Sequence, residues 1–272
     1  MSIALTRAVP RSIDRCELTH LARTPIDYAR AVEQHAAYEA ALRRAGCRVE
    51  RLPDAPDLPD SVFVEDTAVV FDEVAVIARP GAESRRGEVH AMVAALGPHR
   101  RLAYIEEPGT LDGGDVLVTP RRVFVGISGR TNLDGANQLA SHVAPLGFGM
   151  IPIPVTGCLH LKSAVTAVDL PPDGGRVSLL INPAWVDAAH FAGSHLIEID
   201  PSEPAAANVL AVDGYVICAE DHPRTRKRLD ARGFVTRPVP AGELAKAEGG
   251  VTCCSVIVRS RRLVPAGTPF VP

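Results

Sequence analysis

The sequence predicts a mixed α/β protein built from a repeated hairpin–helix–strand unit. Short runs rich in Val and Ile alternate with amphipathic helical stretches along the 272 residues. Three pairs of these runs are split by only two or three turn residues, which folds them back as antiparallel hairpins. The unit returns about every 45–55 residues, inside the range of repeated architectures. Frequent hairpins exclude a purely parallel, doubly wound sheet. No Gly-x-Gly-x-x-Gly follows a strand, and there is no phosphate-binding P-loop. The Pro- and Gly-rich breaks at 53–59, 171–175 and 201–204 are too short for interdomain linkers, so one domain over residues 1–272 is expected.

Each element has a local cause. Thr24-Pro25-Ile26-Asp27 offers an N-cap followed by Pro at the first helical position. Tyr28, Ala31, His35, Tyr38 and Leu42 then recur at helical spacing, and Gly46 closes the helix. Shorter helices fit Arg86–Leu96, Leu133–Leu146 and Pro223–Arg232, each with Gly close behind. The hairpins are Val62–Phe71 with Val74–Ala78, Val116–Thr119 with Val123–Ile127, and Val209–Val212 with Tyr215–Cys218 around Asp213-Gly214. Further strands fit Ala4–Val9, Arg48–Leu52, Leu102–Ile105, Ile151–Val155, Val165–Val168, Val177–Ile181, Phe234–Val239 and Ser255–Val258.

Composition narrows the function. Hydrophobic residues make up 46% and charged residues 22%, which excludes a disordered chain. The formal net charge is −3, and the densest basic run, Arg224-Thr-Arg-Lys-Arg228, reads as a solvated helix face. Neither this charge nor the 4% of aromatics suits a nucleic-acid partner. No stretch reaches the ~18 apolar residues of a membrane helix. Met1–Arg15 lacks the apolar core of a signal peptide, so a cytoplasmic location is expected. In that compartment Cys16, Cys47, Cys158, Cys218, Cys253 and Cys254 should be free thiols. Their spacing does not suit a dedicated zinc site, and no metal is expected.

Four segments concentrate chemistry. Asp60-Ser-Val-Phe-Val-Glu-Asp66, read as a strand, puts Val62, Val64 and Asp66 on one face and Phe63 and Glu65 on the other. Its carboxylates also fit plain turn acids at a strand exit. Leu111-Asp-Gly-Gly-Asp-Val116 makes a tight turn that lets backbone approach a neighbour closely. Taken alone it reads first as an ordinary Asp-Gly turn. Cys158-Leu-His160-Leu-Lys162-Ser163 carries a histidine that suits either a structural or a catalytic role. Gly249-Gly-Val-Thr-Cys253-Cys254-Ser255 sets glycines ahead of two thiols at the mouth of a strand, where one thiol at most faces a given pocket. A thiolate, a histidine and several carboxylates are what nucleophilic attack on a cationic carbon requires.

The ordered set Ser61-Val-Phe-Val-Glu-Asp66, Arg79-Pro-Gly-Ala-Glu-Ser-Arg-Arg86, Leu111-Asp-Gly-Gly-Asp-Val-Leu117, Arg130-Thr-Asn132, Leu159-His-Leu-Lys-Ser163 and Thr252-Cys-Cys-Ser-Val256 resembles the dimethylarginine dimethylaminohydrolases. These belong to the guanidine-modifying superfamily, with arginine deiminases and amidinotransferases. The resemblance runs from about residue 4 to residue 258. It implies a five-bladed α/β propeller of pseudosymmetric ββαβ units. It implies hydrolysis of asymmetric dimethylarginine or monomethylarginine to citrulline through a Cys-thiouronium, with no cofactor. Cys253 would be the nucleophile, His160 the general acid/base and Asp112 its orienting carboxylate. Glu65 and Asp66 would hold the guanidinium, with Asp60 as a further polar contact and Phe63 in the wall. Arg85 and Arg130 would lie near the α-carboxylate. Leu18, within a lid at Arg11–Thr24, and Ala247 would complete the substrate site. The partner implied is a small molecule, with a homodimer left open. Arginine deiminases usually carry Phe-Thr-Arg-Asp where this chain has Phe-Val-Glu-Asp. The alternatives are a deiminase-like hydrolase of another guanidine and a non-catalytic binder of arginine-like ligands.

Overall fold

The computed structural model describes residues 1–171 and 175–259. The middle of the Pro-rich break at 171–175 lies outside the described residues. The chain opens with β1 (Ile3–Thr6), α1 (Tyr28–Arg44) and β2 (Arg48–Arg51). Next come β3 (Ala68–Val70), β4 (Val74–Ile77), α2 (Val89–Leu96) and β5 (Arg101–Tyr104). A third group holds β6 (Val116–Val118), β7 (Arg122–Ile127), α3 (Leu133–Val143) and β8 (Gly149–Pro154). The short α4 (Leu161–Ala164) leads into β9 (Val165–Asp169), β10 (Ser178–Ile181) and β11 (His195–Glu198). The last elements are β12 (Leu210–Val212), β13 (Tyr215–Ala219), α5 (Pro223–Asp230), β14 (Thr236–Val239), α6 (Gly242–Ala245) and β15 (Val256–Val258).

These strands form five three-stranded sheets. In each, an antiparallel pair is extended by a third strand running parallel to the middle one. The unit is therefore ββαβ, with a 3-10 turn at Ala188–Phe191 replacing the helix in the unit of β9–β11. The first unit is completed by the far end of the chain, because β15 pairs with β1 in the order β15-β1-β2. Strands β3, β6, β9, β12 and β15 all line one central cavity of about 160 Å³. The result is a five-bladed α/β propeller, and separate apolar clusters pack between neighbouring blades.

Several boundaries differ from the sequence reading. Asp27, not Thr24, caps α1, accepting from the Arg30 N–H at 3.1 Å. Pro25 therefore precedes the helix. Ala31, His35, Tyr38 and Leu42 are buried as their spacing requires. Gly46 adopts φ +95°, and the Gly46 and Cys47 N–H groups bond the Arg43 and Leu42 carbonyls, which closes the helix. The stretch foreseen as a helix from Arg86 begins as a 3-10 turn over Glu83–Glu88. The strand foreseen from Val62 starts only at Ala68, because Val64–Thr67 forms a 3-10 turn. Cys253 lies in the turn before β15. Strand β11 went unforeseen because only Ile197 of its four residues is buried, leaving almost no alternation to read.

Candidate active site

Turns and a short helix meet at the central cavity, where Glu65, Gly113, Lys162 and Thr252 come together. The 3-10 turn at Val64–Thr67 aims its two adjacent carboxylates at different partners. Glu65 accepts from Lys162 Nζ at 2.5 Å and from Thr252 Oγ1 at 2.8 Å. Asp66 accepts from Arg85 Nη1 at 2.7 Å and from the Gly114 N–H at 2.9 Å. A flat strand, as the sequence suggested, would have sent the two to opposite faces of a sheet.

The Asp-Gly-Gly-Asp turn explains its own glycines. A Cβ on Gly113 would collide with the Glu65 carbonyl, and one on Gly114 would lie 2.5 Å from His160 Nδ1. Asp112 is fully buried and binds two groups: its Oδ1 accepts from the Gly81 N–H at 2.9 Å, and its Oδ2 meets His160 Nε2 at 3.1 Å. Asp66 Oδ1 stands 3.7 Å from the other ring nitrogen. Asp115 accepts from the Leu161 N–H at 2.9 Å and from Ser128 Oγ at 2.6 Å, and Ser128 Oγ in turn takes the Arg130 N–H. His160 and Arg130 thus share one buried support.

The electrostatics follow from this packing. Burial opposes charge on His160, but Asp66, Asp115 and Asp112 outweigh it and lift the imidazole to about 9. Burial would raise Asp66 as well, yet His160 and Arg85 hold it down at about 2. Asp115 is pushed up to about 6 by burial. Glu65 is also raised by burial, against the pull of Lys162. The Cys253 thiol is raised by burial, then by Glu65 and Asp66, to about 12. Of the six cysteines, all free, it alone is half-buried and the other five are buried. Its Sγ receives the Gly250 N–H at 3.4 Å, and its carbonyl receives the Glu65 N–H at 3.0 Å. Cys254, 1% exposed, faces the core.

The remaining expected residues divide into two groups. Leu18, Phe63, Ala247 and Cys253 share one apolar cluster, with Gly249 seated directly on the Phe63 ring. Asp60 accepts the Glu17 N–H, and Arg130 reaches Thr19 Oγ1 at 3.2 Å, so both touch the segment that carries Leu18. Arg85, expected near the α-carboxylate, has its partners within the protein. It lies buried beneath the carboxylates, bound to Glu88, to Asp66 and to the Asp60 and Phe63 carbonyls. Every guanidinium nitrogen is engaged within the protein, and Nη1 holds Asp66. Asp66, Asp112 and His160 lie close enough to share a metal ion, but their atoms already pair with one another and with Arg85 and Gly114.

Two contributors carried no sequence signal. Glu248, at φ +56°, accepts the N–H groups of Thr19, His20 and Leu21. Asn208, a lone amide after three alanines, bonds to both Lys162 and Thr252.

Comparison with known proteins gives concordant matches. The family model described as N,N dimethylarginine dimethylhydrolase, eukaryotic, matches residues 19–165. The N(G),N(G)-dimethylarginine dimethylaminohydrolase of Streptomyces coelicolor is 40% identical over 252 residues, covering 89% of this chain and 91% of that protein. A solved structure of a Cys-to-Ser variant of the Pseudomonas aeruginosa enzyme, complexed with citrulline, superposes with a TM-score of 0.87 at 33% identity. It covers 94% of this chain and 98% of its own. A His-to-Gly dimethylarginine dimethylaminohydrolase variant, solved as its adduct with S-methyl-L-thiocitrulline, also gives 0.87, at 32% identity, with 95% and 100% coverage.

Proposed function

The chain belongs to the dimethylarginine dimethylaminohydrolase family, and on that premise we propose that it converts asymmetric Nω,Nω-dimethylarginine or Nω-monomethylarginine to citrulline plus dimethylamine or methylamine. The carrying observation is the half-buried Cys253 thiol set beside Glu65 and Asp66, with His160 held by Asp112 in the same buried network. The complex of a related enzyme with citrulline and the thiocitrulline adduct of another support the same reaction.

The steps follow from the charges. The substrate guanidinium enters a pocket rich in carboxylates, and its α-carboxylate lies toward Arg130. Bound positive charge offsets the field that keeps Cys253 protonated, and the thiolate attacks the guanidinium carbon. As the tetrahedral species collapses, the C–N bond to the methylated nitrogen breaks. Protonated His160 supplies the proton that lets the amine leave neutral. The resulting S-alkylthiouronium remains on Cys253. Neutral His160 then takes a proton from water, the hydroxide adds to the same carbon, and the C–S bond breaks to give citrulline and free thiol. Asp112 fixes the ring throughout, and neither step requires a cofactor.

We read the whole chain as one catalytic unit working in a reducing cytoplasm, which suits six free cysteines. Among the described residues no helix is long and apolar enough to cross a membrane. The test is citrulline release from asymmetric dimethylarginine, monomethylarginine and arginine side by side, with Cys253→Ser as blank. Turnover of the methylated substrates over arginine is expected. Preference for arginine, or turnover that survives Cys253→Ser, would overturn the proposal.

A further inference from the structure

We propose that Asn208 is a positioning residue for the catalytic thiol, a staple that fixes the turn carrying Cys253 against the segment carrying His160. This rests on the catalytic reading above. Its carboxamide makes three bonds across that junction. Nδ2 donates to the Lys162 carbonyl at 3.2 Å and to Thr252 Oγ1 at 3.0 Å, and Oδ1 accepts the Thr252 N–H at 3.0 Å. Lys162 is two residues after His160, and Thr252 is the residue before Cys253.

The orientation of the amide is forced. A backbone carbonyl only accepts and a backbone N–H only donates, so Lys162 and Thr252 assign the two ends of the carboxamide without ambiguity. Thr252 Oγ1 then accepts from Asn208 and has its own proton free for Glu65 Oε2, at 2.8 Å. Asn208 thereby sets the hydroxyl that orients one guanidinium-binding carboxylate as well as the turn that carries the nucleophile.

The staple is itself held. Thr166 of β9 clamps the chain on both sides of Asn208, donating to the Ala207 carbonyl at 2.6 Å and accepting the Val209 N–H at 3.4 Å. On the far side the carboxamide presses on Gly250, where a Cβ would stand 2.4 Å from Asn208 Cγ. Gly250 is the residue whose N–H meets the Cys253 sulfur. No side chain larger than hydrogen fits at Gly250 against the carboxamide, so a shift of Asn208 bears on the residue whose N–H meets the sulfur. None of these contacts places Asn208 against the reacting atoms, which is why its role is positional.

The test compares wild type with Asn208→Ala in three readouts: kcat and KM for asymmetric dimethylarginine, the rate of Cys253 alkylation by 2-chloroacetamidine, and thermal unfolding. A misplacement of ~1 Å in a catalytic group costs roughly 10²-fold in rate. We expect kcat per titrated active site to fall by about that factor, with KM within threefold and alkylation slowed in parallel. A lower Tm with normal kcat per active site would reduce Asn208 to a structural residue and overturn the proposal. So would a rise in KM alone, which would mark a substrate contact. Asn208→Asp covers the case in which the Ala variant does not fold. It keeps the size and the acceptor for the Thr252 N–H but turns an oxygen toward the Lys162 carbonyl, and a loss of the same pattern is expected. Unchanged kinetics there would refute the staple. If wild type turns over no methylarginine, the proposed function fails, yet the alkylation ratio still judges Asn208.

Discussion

Glu65→Gln separates two effects of the site's negative charge that ordinary kinetics would merge. Burial is the largest influence raising the Cys253 thiol to about 12, and Glu65 comes next. The free enzyme at neutral pH therefore holds this sulfur almost wholly as thiol. Neutral iodoacetamide should react slowly, rising about tenfold per pH unit across the alkaline range. A cationic amidine such as 2-chloroacetamidine brings its own counter-charge. A cation ~4 Å from the sulfur at an effective dielectric of ~20 is worth about 4 kcal/mol, roughly a thousandfold in thiolate population. The cationic reagent should thus lead by about 10³, once each rate is corrected for reaction with free cysteine. In Glu65→Gln the two reagents should move in opposite directions. The neutral one speeds up, because a carboxylate opposing the thiolate is gone and Lys162 loses its partner. The cationic one slows, because its counter-charge is gone. The assay follows the Cys253 peptide by mass spectrometry from about pH 6 to 10. A neutral-reagent rate that levels off near neutrality, or equal slowing of both reagents in Glu65→Gln, would refute the reasoning.

Three further outcomes are expected. Arg85→Met leaves Asp66 and Glu88 buried without their cation, so stability in urea should fall by about 3–5 kcal/mol; a loss below ~1 kcal/mol would show that the buried triad contributes little. Glu248→Ala releases three backbone N–H groups of Thr19–Leu21, so hydrogen exchange there should quicken and KM rise severalfold, with unchanged exchange counting against a latch. His160 is raised from 6.5 in the unfolded chain to about 9 in the fold. Its contribution to stability is therefore complete below about pH 6.5 and lost as pH rises through about 9. Urea titrations across that window should slope downward, and His160→Gln should flatten the slope.

The sequence made most of the frame legible because hairpins are local events. Asp213-Gly214 adopts the positive φ angles of a tight turn, 44° and 87°, as the dipeptide alone implies. Helix α1 was equally readable from its apolar spacing. The pairing of β15 with β1 was not, since it joins residues more than 250 positions apart and nothing in either strand names its partner. At the site, Cys253, His160, Asp112, Glu65 and Asp66 stood out only as an ordered set. Each alone matched a turn acid, a core thiol or a structural histidine. The strand reading of residues 62–67 failed because the apolar run Val62-Phe63-Val64 also fits the buried lead-in to a 3-10 turn at Val64–Thr67. Asn208 and Glu248 could not be found at all, because their importance lies in contacts with chain segments far away in sequence.

The site's charge balance accounts for what the pocket selects before any bond is broken. The carboxylates of Asp60, Glu65, Asp66, Glu88 and Asp112 are opposed by Arg7, Arg85, Arg130, Lys162 and His160, a near balance to which Asp115 adds one more acid. Burial raises Asp60, Glu65 and Glu88, so part of this negative charge is held at a cost that a bound guanidinium relieves. The internal cations fix the carboxylates in place, while Glu65 and Asp66 are the two whose charge acts on the Cys253 sulfur. Arg85 anchors Asp66 from below, and Lys162 and Thr252 grip the two oxygens of Glu65. The same arrangement favours departure of product. Hydrolysis turns a cationic guanidinium into a neutral ureido group, and with that charge goes the attraction that drew the substrate in. In the proposed mechanism the field that raises the Cys253 thiol is thus the field that recruits the cation, and occupancy by that cation releases the thiolate to react.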